Sequence, residues 1–172
     1  LKSDFQAVGG HDPLYAPQSK EDSDIFNRFL LKGYTFIQLW EAAVYHMTCR
    51  GSRFNPTLTE VGKNSTEWEA QNIKSSRNFI RKWGHFVKHD ALMKPIVPPK
   101  YNVGFVVRNC TFDHLQALEP WCSHIYVGHV IDAIGPRYKN IEQKNTKFDL
   151  DKRVRSHKQG VEVDDIIVEF DC

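Results

Sequence analysis

The stretch "NVGFVVRNCTFDHLQALEPWCSHIYV", residues 102–127, decides the fold class. It begins with "NVGFVVRN", a short run of apolar and β-branched residues that predicts a strand. In "TFDHLQALEPW", which follows, Thr111 stands where it can cap a short helix. The next segment, "SHIYV", predicts a second strand. Two strands joined by a helix form a β-α-β unit, so the sequence predicts an α/β fold.

The remainder of the C-terminal segment is polar until its last residues. Residues 138–160 are basic but interrupted by acids, a pattern that predicts a solvated loop, with phosphate binding as a lesser alternative. A last strand, "DDIIVEF", is predicted at residues 164–170. We therefore expect residues 101–172 to form a small α/β C-terminal domain of the β-α-β type.

A proline-rich stretch, "KPIVPPKY", precedes this segment. Pro95, Pro98 and Pro99 remove backbone donors and stiffen the chain. The pattern also changes here, from a long amphipathic helix predicted to begin near Ser65 to the β-α-β pattern. We therefore predict a linker at residues 94–100 between a first domain, residues 1–93, and the C-terminal domain.

Composition places the chain among ordinary globular proteins. Its 172 residues are 41% hydrophobic and 26% charged, enough for one domain with a small addition. A net charge of +2 gives no case for nucleic-acid binding, and no apolar run is long enough to span a bilayer. The four cysteines are widely spaced and no signal peptide is recognisable, which favours reduced thiols and a cytoplasmic location. Attachment at a membrane surface is compatible with this pattern.

The first domain contains a cluster of carboxylates where a helix is predicted to begin. Glu21, Asp22 and Asp24 lie within four residues, directly before the apolar face of that helix. Acidic side chains are favoured at a helix N-terminus, so capping accounts for one or two of them. The same position keeps a carboxylate ionised and oriented, as a general base requires. On either side, residues 4–8 are predicted to end a strand, and residues 34–39 and 42–45 to be extended.

Residues 8–46 resemble the acceptor-side half of family 2 glycosyltransferases, which have the GT-A fold. In that family a glycine-rich loop precedes a helix that begins with Glu-Asp-x-Asp. A Gly-Tyr turn and a strand ending near a histidine follow. The segment "RNFIRKWG", residues 77–84, is similar to the helix that often comes next. The matching residues are Gly9, Gly10, Asp12, Glu21, Asp22, Asp24, Arg28, Gly33, Tyr34, Val44, Tyr45 and His46.

The resemblance implies a partial GT-A-like domain and an inverting sugar transfer. Asp22 would be the general base that deprotonates an acceptor hydroxyl, and His46 would lie near a metal or the leaving diphosphate. The complete enzyme would use Mg²⁺ or Mn²⁺ as a Lewis acid. The expected partners are a nucleotide sugar and a glycan, lipid or small-molecule acceptor. The residues expected to bind the acceptor are Glu21, Asp24, Gly10, His11, Asp12 and Trp40.

The family's nucleotide-binding half, with its Asp-x-Asp metal motif, would precede this segment and is not found in the sequence. We therefore interpret the chain as a C-terminal fragment of a glycosyltransferase that is inactive alone. The alternative is a non-catalytic interaction or oligomerisation module. In that case the acidic cluster only caps a helix, and the edge of the C-terminal sheet pairs with a partner or a second copy.

Histidines and cysteines elsewhere offer a weaker metal hypothesis. Cys110, His114, Cys122 and His124 have suitable ligand chemistry, but they lack the tight Cys-x-x-Cys spacing typical of zinc sites. Buried thiols and surface histidines explain these four residues more simply.

Overall fold

The computed structural model describes residues 1–45, 64–128, 134–156 and 163–172. The chain divides into two compact units. Unit 1 comprises residues 1–76 and 87–96, and unit 2 comprises residues 77–86 and 97–172. The predicted α/β class is confirmed by a parallel sheet in unit 2. A GT-A domain and the boundary at residues 94–100 stay predictions.

Unit 1 contains helices α1 (Lys2–Ala7) and α2 (Glu21–Leu31) and the first part of α3 (Thr66–Trp83). A short 3₁₀ helix, Pro13–Tyr15, lies between α1 and α2. A small buried group holds the beginning of the unit together. It consists of Val8, Leu14, Tyr15 and Ile25.

One sequence prediction in unit 1 was wrong, and the extended backbone predicted at residues 34–39 and 42–45 stays a prediction. Residues 4–8, expected to end a strand, belong mostly to α1, where Phe5 N–H donates to the Leu1 carbonyl at 3.2 Å. Gly9, at φ +88°, then lies in a left-handed conformation that glycine adopts without steric cost. Residues 34–45 form no strand with any described residue. Their apolar side chains, such as Ile37 and Val44, are largely exposed and do not pack as a sheet face.

Unit 2 is built on four parallel strands: β1 (Val103–Arg108), β2 (His124–Val127), β3 (Val154–Ser156) and β4 (Ile166–Asp171). Their order across the sheet is β3-β2-β1-β4. Parallel strands need a crossover connection, and helix α4 (Phe112–Leu118) provides it between β1 and β2. Thr111 caps α4, because its hydroxyl accepts from the His114 N–H at 3.2 Å. The predicted β-α-β unit is therefore confirmed.

One face of the sheet packs against the helices of unit 2. Buried residues from β1, β2 and β3 meet side chains from α4 and from α5 (Ile134–Glu142). Apolar side chains that leave water in this way supply most of the favourable free energy of folding. The central residues, each at most 8% exposed, are Val107, Cys110, Leu115, Cys122, Ile125, Val127, Tyr138, Leu150 and Val154.

The solvated loop predicted for residues 138–160 was wrong over most of its described part. This stretch contains the end of α5, the short helix α6 (Leu150–Arg153) and β3. The local reasons are clear: Asp149 caps α6 with its carboxylate, and Tyr138 and Leu150 are fully buried. The many basic side chains led to the loop prediction. Charged residues mark only the side of a helix or strand that faces solvent, so they did not indicate the buried side.

A buried cluster of charges, which we call the charge cluster, joins the C-terminal part of α3 to the rest of unit 2. Glu119 Oε2 accepts from Arg81 Nη2 at 2.6 Å, and Glu119 Oε1 accepts from Arg153 Nε at 2.6 Å. Arg81 Nη2 also donates to Glu142 Oε1 at 2.6 Å, and Arg77 Nε donates to the same oxygen at 3.0 Å. Burial alone would raise the pKa of Glu119, but Arg81 and Arg153 lower it to about 2.

A second polar group connects β2 with the residue that leads into β4. Asp164 accepts from the Tyr126 hydroxyl at 2.6 Å, and its other oxygen lies 2.7 Å from His124 Nδ1. Burial and the Asp164 hydrogen bond raise the pKa of Tyr126 to about 12. Gly104 leaves room for the carboxylate, because a Cβ there would lie 2.5 Å from Asp164 Oδ2. The group therefore aligns strands.

Candidate functional site

The N-terminus of α2 is held in place by the residues that precede it. Ser19 and Lys20 have positive φ values of 80° and 74°, which turn the chain into the helix. Their side chains both donate to Asn72 Oδ1 on α3, at 2.8 Å from Ser19 and 3.1 Å from Lys20. The first turn of α2 then carries Glu21 and Asp22, whose charge suits the positive end of the helix dipole.

Asp24 and Arg28 attach α2 to the glycine turn that follows α1. Asp24 is fully buried, accepts from Arg28 Nε at 2.9 Å and receives the Tyr15 hydroxyl at 3.3 Å. Arg28 also donates to the Gly10 carbonyl at 2.6 Å and to the Val8 carbonyl. Asp24 and the Gly10 carbonyl therefore form hydrogen bonds within the protein, and these bonds attach α2 to the glycine turn.

An open cleft, which we call the acidic cleft, lies in front of this attachment. Its cavity volume is about 350 Å³, within the range of small-molecule sites. One wall is the first turn of α2, and the other is the loop that contains the 3₁₀ helix. The lining residues with charged or ionisable side chains are His11, Asp12, Tyr15, Glu21 and Asp22.

Two carboxylates of the acidic cleft differ in environment. Asp22 is exposed to solvent, so it can reach a ligand without displacing protein groups. Glu21 is partly buried, and its Oε2 has no hydrogen-bond partner among the described residues. A buried carboxylate oxygen without a donor is unfavourable.

The structure thus brings together four of the predicted site residues: His11, Asp12, Glu21 and Asp22 line one cleft. Trp40 is 80% exposed and is not part of its lining. His46 lies outside the described residues. The roles assigned to all of these residues stay predictions.

The sequence reasoning missed Tyr15. This residue lines the acidic cleft, is 1% exposed, and its hydroxyl supports Asp24. Its position between two prolines, Pro13 and Pro17, indicated an ordered turn. A contact with a carboxylate nine residues further on cannot be inferred from periodicity, because the connecting loop is irregular.

The described part of the chain contains neither a group of metal ligands nor a helix that could cross a membrane. There, no three His, Cys, Asp or Glu side chains group as metal ligands. His114 instead completes the cap of α4, and His124 pairs with Asp164. The described residues therefore do not fit a metal centre, and the expected Mg²⁺ or Mn²⁺ stays a prediction. None of the described helices is long and apolar enough to cross a bilayer.

Comparison with known proteins adds no relative. No family model matches the chain, and neither a curated protein nor a solved structure was found to match it. What indicates a function is therefore the sequence pattern and the geometry of the acidic cleft.

Proposed function

We propose that this chain carries the acceptor-side part of an inverting glycosyltransferase, which moves a sugar from a nucleotide donor to an acceptor hydroxyl. The observation that carries the proposal is the acidic cleft, in which Glu21 and Asp22 lie beside His11 and Asp12. A rigid carboxylate at a helix N-terminus has the features that a general base needs. The motif order from Gly9 to His46 supports the same activity.

In the proposed reaction Asp22 takes the proton of the acceptor hydroxyl. The acceptor oxygen then forms a bond to the anomeric carbon of the donor, while the bond from that carbon to the diphosphate breaks. Attack from the side opposite the leaving group inverts the configuration. Glu21 Oε2 would accept a second ligand hydroxyl, which orients the acceptor. The described residues group no three His, Cys, Asp or Glu side chains as metal ligands, and the roles of Asp22 and Glu21 in this reaction need none.

The test is a transfer assay on the native gene product that contains these residues. Uridine and guanosine diphosphate sugars are offered with a panel of glycan acceptors, with and without Mg²⁺ or Mn²⁺. We expect nucleoside diphosphate release that depends on an acceptor, and a product of inverted anomeric configuration by NMR. Nucleoside diphosphate release that does not depend on the acceptor, or a product of retained anomeric configuration, would refute the proposal.

A second candidate function is an oligomerisation module, favoured by the edge strand β4. Among the described residues β4 pairs only with β1, and Ile166, Ile167 and Val168 on it are 36–42% exposed. Apolar edge strands are sites at which a second chain can add. Sedimentation should then show a dimer that forms as the protein concentration rises. Val168→Lys should raise the Kd of that dimer by about tenfold or more. A monomer at all concentrations would remove this candidate.

A further inference from the structure

A second cleft lies within unit 1, between α2 and the segment of residues 87–95. We call it the hairpin cleft. Its cavity volume is about 250 Å³. Asp22 lines both this cleft and the acidic cleft, so the two meet at the proposed base. The lining of the hairpin cleft includes Asp22, Phe26, Asn27, Lys88, His89 and Met93.

The wall opposite α2 is an ordered hairpin turn. Asp90 Oδ1 accepts the N–H groups of Leu92 at 2.8 Å and Lys94 at 2.9 Å. Below the turn, the Ile96 N–H donates to the Lys88 carbonyl at 3.0 Å, and His89 bridges to Pro95. These hydrogen bonds fix Lys88 and His89 along the cleft without the help of a ligand.

Asn27 provides the strongest indication of a ligand. Its side chain is on α2 and only 3% exposed, yet its Nδ2 has no hydrogen-bond partner among the described residues. A buried amide donor is normally paired, because leaving it unpaired loses the hydrogen bond that it made with water. An acceptor oxygen of a ligand in the hairpin cleft would supply that partner once the amide, whose nitrogen exposes almost no surface, turns towards the cleft.

The side chains that line the hairpin cleft favour a ligand that has both a negative charge and an apolar face. Lys88 forms no ion pair with any described residue, and it lines the cleft beside His89, whose Nδ1 lies 3.1 Å from the Asp90 carbonyl oxygen. Phe26 and Met93, which are 45% and 69% exposed, offer an apolar surface. Asp22 and Asn27 are five residues apart on α2, a rise of about 7.5 Å. A ligand carboxylate bound near Asn27 and Lys88 would therefore lie away from the negatively charged side chain of Asp22.

We propose that the hairpin cleft binds a sugar ring that carries a carboxylate, as in a uronic acid, and presents one of its hydroxyls to Asp22. The ring's apolar face packs on Phe26 and Met93. Its carboxylate accepts from Asn27 Nδ2 and pairs with Lys88. This assignment rests on the proposed function, because the bound uronate would be the acceptor of the sugar transfer. Its binding, however, needs no donor and is measurable alone.

The test is NMR titration of the 172-residue chain with two probes, methyl β-glucuronide and methyl β-glucoside. They differ by the carboxylate that the proposal requires. We expect the glucuronide to bind about tenfold more tightly, with shift changes confined to α2 and residues 87–95. Lys88→Gln should abolish that preference, whereas Lys32→Gln, a lysine outside the cleft, should leave it unchanged. Asn27→Leu should weaken glucuronide binding by about tenfold.

Asn27→Asp is a second variant of nearly the same shape, in case the leucine variant does not fold. It replaces the donor by a carboxylate and should disfavour the glucuronide more than the glucoside. Equal binding of the two probes, or a glucuronide preference that survives Lys88→Gln and Asn27→Asp, would overturn the assignment. Transfer activity without uronate binding refutes only this inference. Uronate binding in a native protein that shows no transfer refutes only the proposed function.

Discussion

Glu119→Gln is expected to lower the free energy of unfolding of the chain by about 3–5 kcal/mol, the cost of breaking a buried ion pair by removing one partner. Glu119 is fully buried and accepts from Arg81 and Arg153 within the charge cluster. Glutamine keeps the shape but removes the negative charge, so Arg153 loses its ion pair with Glu119 and Arg81 keeps only its ion pair with Glu142. Typical domains are stable by about 5–15 kcal/mol, so this loss is large.

Urea denaturation followed by circular dichroism measures the effect. The matched control is Glu169→Gln, which removes an exposed ion pair with Arg108 at 3.1 Å. Because solvent screens that pair, the control should change stability by less than about 1 kcal/mol. If the two variants were equally stable, the charge cluster would contribute no more than a surface pair.

The same cluster fixes the sign of the acid response. The pKa of Glu119 is about 2 in the folded chain and lies below its ordinary value of 4.5. Its stabilising contribution is complete above pH 4.5 and is lost as the pH falls from there towards 2. Glu119→Gln should therefore flatten the loss of stability over this range, whereas Glu169→Gln should not.

If the proposed transfer takes place, Asp22→Asn is expected to lower its kcat by about a hundredfold or more, with little change in KM, because the variant removes the proposed proton acceptor. Asparagine is also favourable at helix N-termini, so the fold should survive. Asp22→Glu should recover part of the rate, since it keeps a carboxylate. Glu67→Gln provides the control: it removes an exposed first-turn acid from α3, away from the acidic cleft. Turnover that survives Asp22→Asn would make Asp22 a helix-stabilising residue only.

The fold of unit 2 was predictable where local signals agree. Thr111, the apolar runs of β1 and β2, and the final strand follow from propensity, capping and length. By contrast, α5, α6 and β3 were missed because Tyr138, Leu150 and Val154 are isolated apolar residues among charged ones. Their burial is decided by the strand and helices they meet, which no window of sequence contains.

The acidic cleft was predictable to a similar extent. Glu21 and Asp22 could be identified from their position at a helix start, and the glycine turn suggested that His11 and Asp12 lie nearby. The hairpin cleft was not foreseen, since its second wall comes from residues 87–95. Sequence patterns detect chemistry within one element, whereas a cleft depends on the distance between two elements.

Each unit consists of two separate stretches of the chain, so unit 2 cannot be transferred to another protein as one continuous segment that begins after the prolines. Unit 2 takes residues 77–86 from the N-terminal side and residues 97–172 from the C-terminal side. A gene fusion that transplanted only the segment after the prolines would leave behind Arg77 and Arg81, and Glu119 would keep only Arg153 of its arginines. The C-terminal segment is therefore not a portable module. Its inheritance is tied to the helix that precedes it.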